Sequence, residues 1–97
     1  MQKVRKPGSG VSYKVIVRPA AEKSILRLNE SDYKAIVERI RSLELEPRPL
    51  ATRKLTSTSL WRLRVGNFRI VYSVDDKERI IRVLRIARRS EDTYGRL

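Results

Sequence analysis

The stretch Trp61-Arg62-Leu63-Arg64-Val65-Gly66-Asn67-Phe68-Arg69-Ile70-Val71-Tyr72 sets three arginines among apolar residues, with a two-residue break near its middle. Arginine carries a planar, permanently charged fork of donors that matches two oxygens of one phosphate. Gathered in one place, such groups neutralise the charge that develops at phosphorus when a phosphodiester is cleaved. The chain has no histidine and no cysteine. An imidazole general base, thiolate chemistry, disulfides and a Cys/His structural zinc site are therefore excluded, and the reading calls for no metal and no cofactor. The whole composition leans the same way. Lys plus Arg is 23 against 11 acidic residues, a net charge of +12 on 97 residues. That surplus is the footprint of a polyanion binder, with nucleic acid first and an acidic protein partner second and compatible.

The spacing says where the arginines point. Gly followed by Asn is a two-residue hairpin signature, because the tight turns that suit paired strands need a positive φ. Pairing outward from Gly66-Asn67 sets Val65 against Phe68, Arg64 against Arg69, Leu63 against Ile70, Arg62 against Val71 and Trp61 against Tyr72. Opposed side chains share a face. One face is then wholly apolar or aromatic and belongs on a core, which makes Trp61, Phe68 and Tyr72 packing residues. The other carries Arg62, Arg64 and Arg69 beside Val71. Arg64 opposite Arg69 is a like-charge pair, which costs stability unless an anion lies between the two.

Other elements must position this hairpin. Residues 13–18 alternate and are β-branched, predicting a first strand. Pro19 suits the opening turn of a helix over 20–28 carrying Ala21, Ile25 and Leu28. Ser31 is the expected N-cap of a second helix over about 32–45, with a stripe of Tyr33, Ile36, Val37, Ile40 and Leu43. Pro47 and Pro49 end it. Arg53-Lys54-Leu55 suggests a short strand, Asp75-Asp76-Lys77-Glu78 a second turn, and 79–87 a last strand. The expected class is α+β: an N-terminal strand and a helix hairpin followed by an antiparallel β-meander, with the helices on one face of a twisted sheet. Residues 1–12, basic and glycine-bearing, read as a flexible tail, and 13–97 as a single domain. No apolar run approaches the roughly 20 residues of a membrane-spanning helix, and no signal-peptide pattern is present. The cytoplasm is the expected compartment, with no membrane association.

Lys54-Leu55, the hairpin from Leu60 to Tyr72, and Ala87-Arg88-Arg89 through Tyr94 together resemble the RelE/ParE superfamily, the toxin halves of type II toxin–antitoxin pairs. The resemblance spans about residues 13–95, and the Arg-Leu-Arg-Val-Gly-x-aromatic-Arg-x-x-Tyr stretch carries most of it. It implies the RelE-like microbial RNase fold. The RelE branch implies a metal-independent endoribonuclease that cuts mRNA in the ribosomal A site and so inhibits translation. Its site, carried over by position, implies catalytic roles for Arg62, Arg64, Arg69, Arg89 and Tyr94. Arg53, Lys54, Arg85 and Arg88 are the expected RNA- or ribosome-binding residues around them. Arg88 stands where many relatives have histidine. The resemblance also implies an acidic, RelB-like antitoxin, a monomer on its own and a hetero-oligomer with that antitoxin. The ParE branch implies instead a DNA gyrase inhibitor without nuclease activity. A third alternative is an inactive member that only binds antitoxin.

Overall fold

Alternating apolar residues build the sheet and 3.6-residue periodicity builds the helices that cover it. The computed structural model describes residues 12–50, 52–55 and 58–88. The expected tail, apart from Ser12, lies outside them, as do Arg89 and Tyr94. Within them lie β1 (Lys14–Val17), α1 (Pro19–Leu26), α2 (Glu30–Ser42), β2 (Thr52–Lys54), β3 (Leu60–Val65), β4 (Phe68–Asp75) and β5 (Ile80–Arg88). The order matches the sequence reading. Helix α2 begins earlier than expected because Asn29, not Ser31, is its N-cap: the Asn29 side chain accepts from the Asp32 backbone N–H at 2.8 Å. Asn and Ser are close in capping strength, so composition alone does not choose between them.

The five strands lie in the order β1-β5-β4-β3-β2. Three pairings, β2–β3, β3–β4 and β4–β5, are antiparallel, as a meander requires. The fourth involves the N-terminal strand, whose direction the meander does not set. β1 runs parallel to β5, with Val15 beside Ile81 and Val17 beside Val83. Parallel neighbours need a long crossover, and α1 and α2 form part of it, with α1 packed on β5. The sheet is therefore mixed. β1 joins it there because Val15 and Val17 pack against the buried core that already includes Ile81 and Val83.

That core lies between the helices and one sheet face. Ala21, Ile36, Leu43, Leu63, Ile70, Tyr72, Ile81 and Val83 are wholly inaccessible. Tyr72 anchors more than its ring. Its hydroxyl donates to the Pro47 carbonyl at 2.7 Å and lies 3.2 Å from the Thr52 hydroxyl. The linker after α2 is thereby tied to β2 and β4. Burial pushes the Tyr72 hydroxyl above its ordinary pKa and keeps it protonated as a donor.

A second tie closes the same end from outside. Asp76, in the β4–β5 turn, accepts two hydrogen bonds from Arg48, at 2.8 and 3.2 Å, and one from the Tyr13 hydroxyl at 2.6 Å. The Arg48 guanidinium also lies over Trp61, 5.1 Å from the ring centroid. Hydrogen bonds from Arg48 and then from Tyr13 hold the Asp76 carboxyl below its ordinary range. A depressed folded pKa gives stability that is present above the unfolded carboxylate pKa and lost as pH falls through the folded value.

Two outcomes are expected. In acid titrations of thermal stability, wild type loses more than Asp76→Asn as pH drops below about 4, and the two curves converge at the acid end. Tyr72→Phe remains folded but loses about 1–2 kcal/mol in urea unfolding, because the Pro47 carbonyl and Thr52 hydroxyl lose their partner.

Candidate nucleic-acid interface

The β3–β4 register follows from the turn. φ is 57° at Gly66 and is not positive at Asn67, the pattern of a type II′ hairpin with glycine leading. Pairing outward gives Val65–Phe68, Arg64–Arg69, Leu63–Ile70, Arg62–Val71 and Trp61–Tyr72, the register read from the sequence. Leu63, Phe68, Ile70 and Tyr72 are buried, and Trp61 and Val65 pack against them. Arg62, Arg64 and Arg69 therefore stand together on the face away from the helices. Arg64 is exposed, while Arg62 and Arg69 are half-buried.

The neighbouring strands add to this face. β2 sets Arg53 directly opposite Arg62. On the other side, Val71 pairs with Arg85 and Ser73 with Arg82. Arg85 arrives there through an irregularity. Ile81 and Val83 face the core, so strict alternation would turn Arg85 inward. The register shifts between Val71 and Tyr72, leaving Leu84 as an extra residue in β5. The phase resets, Ile86 is buried and Arg85 emerges exposed. Six arginines on four adjacent strands thus share one face: Arg53, Arg62, Arg64, Arg69, Arg82 and Arg85. Arg82 was not singled out in the sequence; Ser73 facing it across the pair was the available signal. Leu50, Arg53, Arg62 and Arg64 line a depression of about 230 Å³ at the β2–β3 end.

Two expected binding residues fall elsewhere. Lys54 pairs with Trp61, so its position belongs to the helix-covered side. Arg88 pairs with Phe68 and stacks on its ring at 4.9 Å from the centroid, on that same side. There it lines a groove of about 460 Å³ with Arg27 and Leu28. Arg89 and Tyr94 lie outside the described residues.

Arginines dominate the charge of this face, while Asp75 at the end of β4 alternates onto the same side, where its carboxylate accepts from the Glu78 backbone N–H. Among the described residues the ion pair Arg48–Asp76 lies in the linker and the β4–β5 turn, away from the arginine face. Among those residues also, no group of three or more acidic, His or Cys side chains could hold a metal ion. No helix among them is long and apolar enough to cross a membrane. Such a face can bind a phosphodiester backbone and neutralise charge on phosphorus.

Known proteins share this fold. The sequence family described as the ParE toxin of type II toxin–antitoxin systems, parDE, matches residues 15–93. The archaeal RelE–RelB complex from Pyrococcus horikoshii OT3 contains a chain 31% identical, with a TM-score of 0.74, over 80% of this chain and 96% of that one. The RelBE2 toxin–antitoxin complex of Mycobacterium tuberculosis gives 26% identity and a TM-score of 0.73, over 81% and 100% of the two chains. The intact E. coli RelBE complex, at 19% identity and a TM-score of 0.70 over 79% and 96%, shares the fold. No curated protein sequence matches the chain.

Clustering like charges has a measurable cost. Arg64→Gln is expected to raise stability by about 0.2–1 kcal/mol at low salt by relieving the Arg64–Arg69 pair. Urea unfolding at rising ionic strength should show the gain fading as salt screens the repulsion.

Proposed function

This chain belongs to the ParE toxin family of type II toxin–antitoxin systems, and from that premise we propose that it is a ribosome-dependent mRNA endonuclease of the RelE kind. The arginine face carries this reading: six guanidiniums on one open sheet suit a polyphosphate strand. The 31% identity to an archaeal RelE supports it. Arg62 and Arg64 grip the backbone, and Arg69 neutralises the scissile phosphate. The RelE resemblance adds Arg89 to that phosphate and gives Tyr94 the role of orienting the nearby base or moving a proton.

The chemistry needs no protein nucleophile. The 2′-hydroxyl loses its proton and attacks the adjacent phosphorus. A new P–O2′ bond forms, the P–O5′ bond breaks, and the leaving 5′-oxygen takes up a proton. The products are a 2′,3′-cyclic phosphate and a 5′-hydroxyl. Arginine stabilises the charge on phosphorus but is a poor base, because the guanidinium does not give up its proton in proteins. In-line alignment must then supply much of the acceleration, and the ribosomal A site provides it by holding the codon. The same reading gives the protein a cytoplasmic location and an acidic, RelB-like antitoxin as partner. The P. horikoshii relative was solved as a RelE–RelB complex and the M. tuberculosis relative as the toxin–antitoxin complex RelBE2.

The family match favours one other reading. Members described as ParE toxins resemble the gyrase-inhibiting branch, and there the arginines would serve a protein surface.

In a reconstituted translation system, wild type is expected to generate new mRNA 5′ ends within A-site codons. Arg69→Ala should reduce cutting at least 100-fold, the scale of losing one transition-state donor. Intact mRNA at full dose, together with gyrase–DNA cleavage complexes, would establish the second reading instead.

A further inference from the structure

The arginine face contains two cross-strand pairs, not one cluster. Arg53 stands opposite Arg62 across β2–β3, and Arg64 stands opposite Arg69 across β3–β4. The pairs are offset by one strand across the sheet and two residues along β3. Strand dimensions put their midpoints about 8 Å apart. That separation is of the order of the phosphate-to-phosphate repeat of an extended single strand. The depression lined by Leu50, Arg53, Arg62 and Arg64 lies at the first pair, and Leu50 is fully exposed beside it.

We propose that the Arg53–Arg62 pair is a second phosphate subsite, taking the phosphate adjacent to the one held by Arg64 and Arg69. This deepens the ribonuclease reading and rests on it. The diagonal between the pairs sets the path: the strand crosses β2, β3 and β4 obliquely rather than running along any one of them. Leu50 offers an apolar wall for the sugar or base near the outer phosphate. Arg53, expected from the sequence only as one of four surrounding RNA-binding residues, thereby gains a specific task, aligning the strand beside the five catalytic positions. Two anchored phosphates fix the direction of the backbone, which one cannot. In-line attack depends on that direction.

The test uses the full chain and 2′-O-methyl RNA hexamers, which cannot be cut. All linkages are neutral methylphosphonates except one phosphate, two adjacent phosphates, or two phosphates separated by a neutral linkage. Wild type is expected to bind the adjacent pair roughly tenfold more tightly than the single phosphate, and the separated pair no better than the single. Arg53→Gln, at an exposed edge position, should remove that preference and keep single-phosphate affinity. The salt slope for the adjacent pair should shrink by about 0.7, one contact's share on single strands. Arg53→Lys should recover part of the preference. Equal binding of all three probes by wild type, or a preference that survives in Arg53→Gln, overturns the second subsite. If mRNA is still cut in the translation assay, the ribonuclease reading stands without it. Failure of wild type to bind any probe, with mRNA left intact, overturns both.

Discussion

The strict two-residue alternation of the β3–β4 hairpin, held in one register, is the constraint from which the rest follows. Leu63, Ile70 and Tyr72 are wholly buried under the helices, and burying each such side chain contributes about 1.5–3 kcal/mol. Sliding the register by one residue would expose that set and drive Arg62, Arg64 and Arg69 into the core without partners. Repulsion between opposed arginines costs at most about 1 kcal/mol per pair. The core term outweighs it several-fold. The apolar face thus forces the arginines together, and no separate device is needed to gather them. The glycine-led turn fixes the starting point of the count, since Gly66 takes the positive φ that an ordinary residue resists.

The extra residue in β5 solves a related problem. A strand that follows one rhythm throughout would have to choose between burying Ile86 and presenting Arg85. Inserting Leu84 between Val83 and Arg85 lets it do both. The core keeps its apolar lining along the whole strand, and the basic face widens by one strand beyond Arg69. The irregularity lies on an outer strand of the four that carry the arginines, where re-aiming a single side chain extends the face.

Most of this was readable from the residues because the hairpin's signals are local. A two-residue turn, alternating polarity and directly opposed partners need no knowledge of the rest of the chain. Helix stripes were equally plain, although the choice between Asn29 and Ser31 as cap rests on backbone conformation. What the sequence did not show is long-range or phase-dependent. Nothing in Val15-Ile16-Val17 says that its neighbour is β5 and that the two run in parallel. Nothing in Ile81–Ala87 marks where the rhythm breaks. Lys54 and Arg88 looked like members of the basic face because charge is visible in a sequence and sidedness at a sheet edge is not. Pairing with Trp61 and Phe68 put both positions on the other side. The tie between Tyr13, Arg48 and Asp76 joins three segments far apart in the chain, and no local pattern announces it.

The parallel pairing of β1 with β5 has a consequence for when the molecule comes into being. Lys14 sits beside Ile80, so β1 has no neighbour until β5, some sixty-six residues later, has been made. Closing so long a loop is entropically slow and is rewarded only once both partners exist. A nascent chain can fold its helices and its central hairpin early, yet β1 stays unpaired until β5 emerges. A chain cut short before β5 would lack both the fifth strand and the seat for the first.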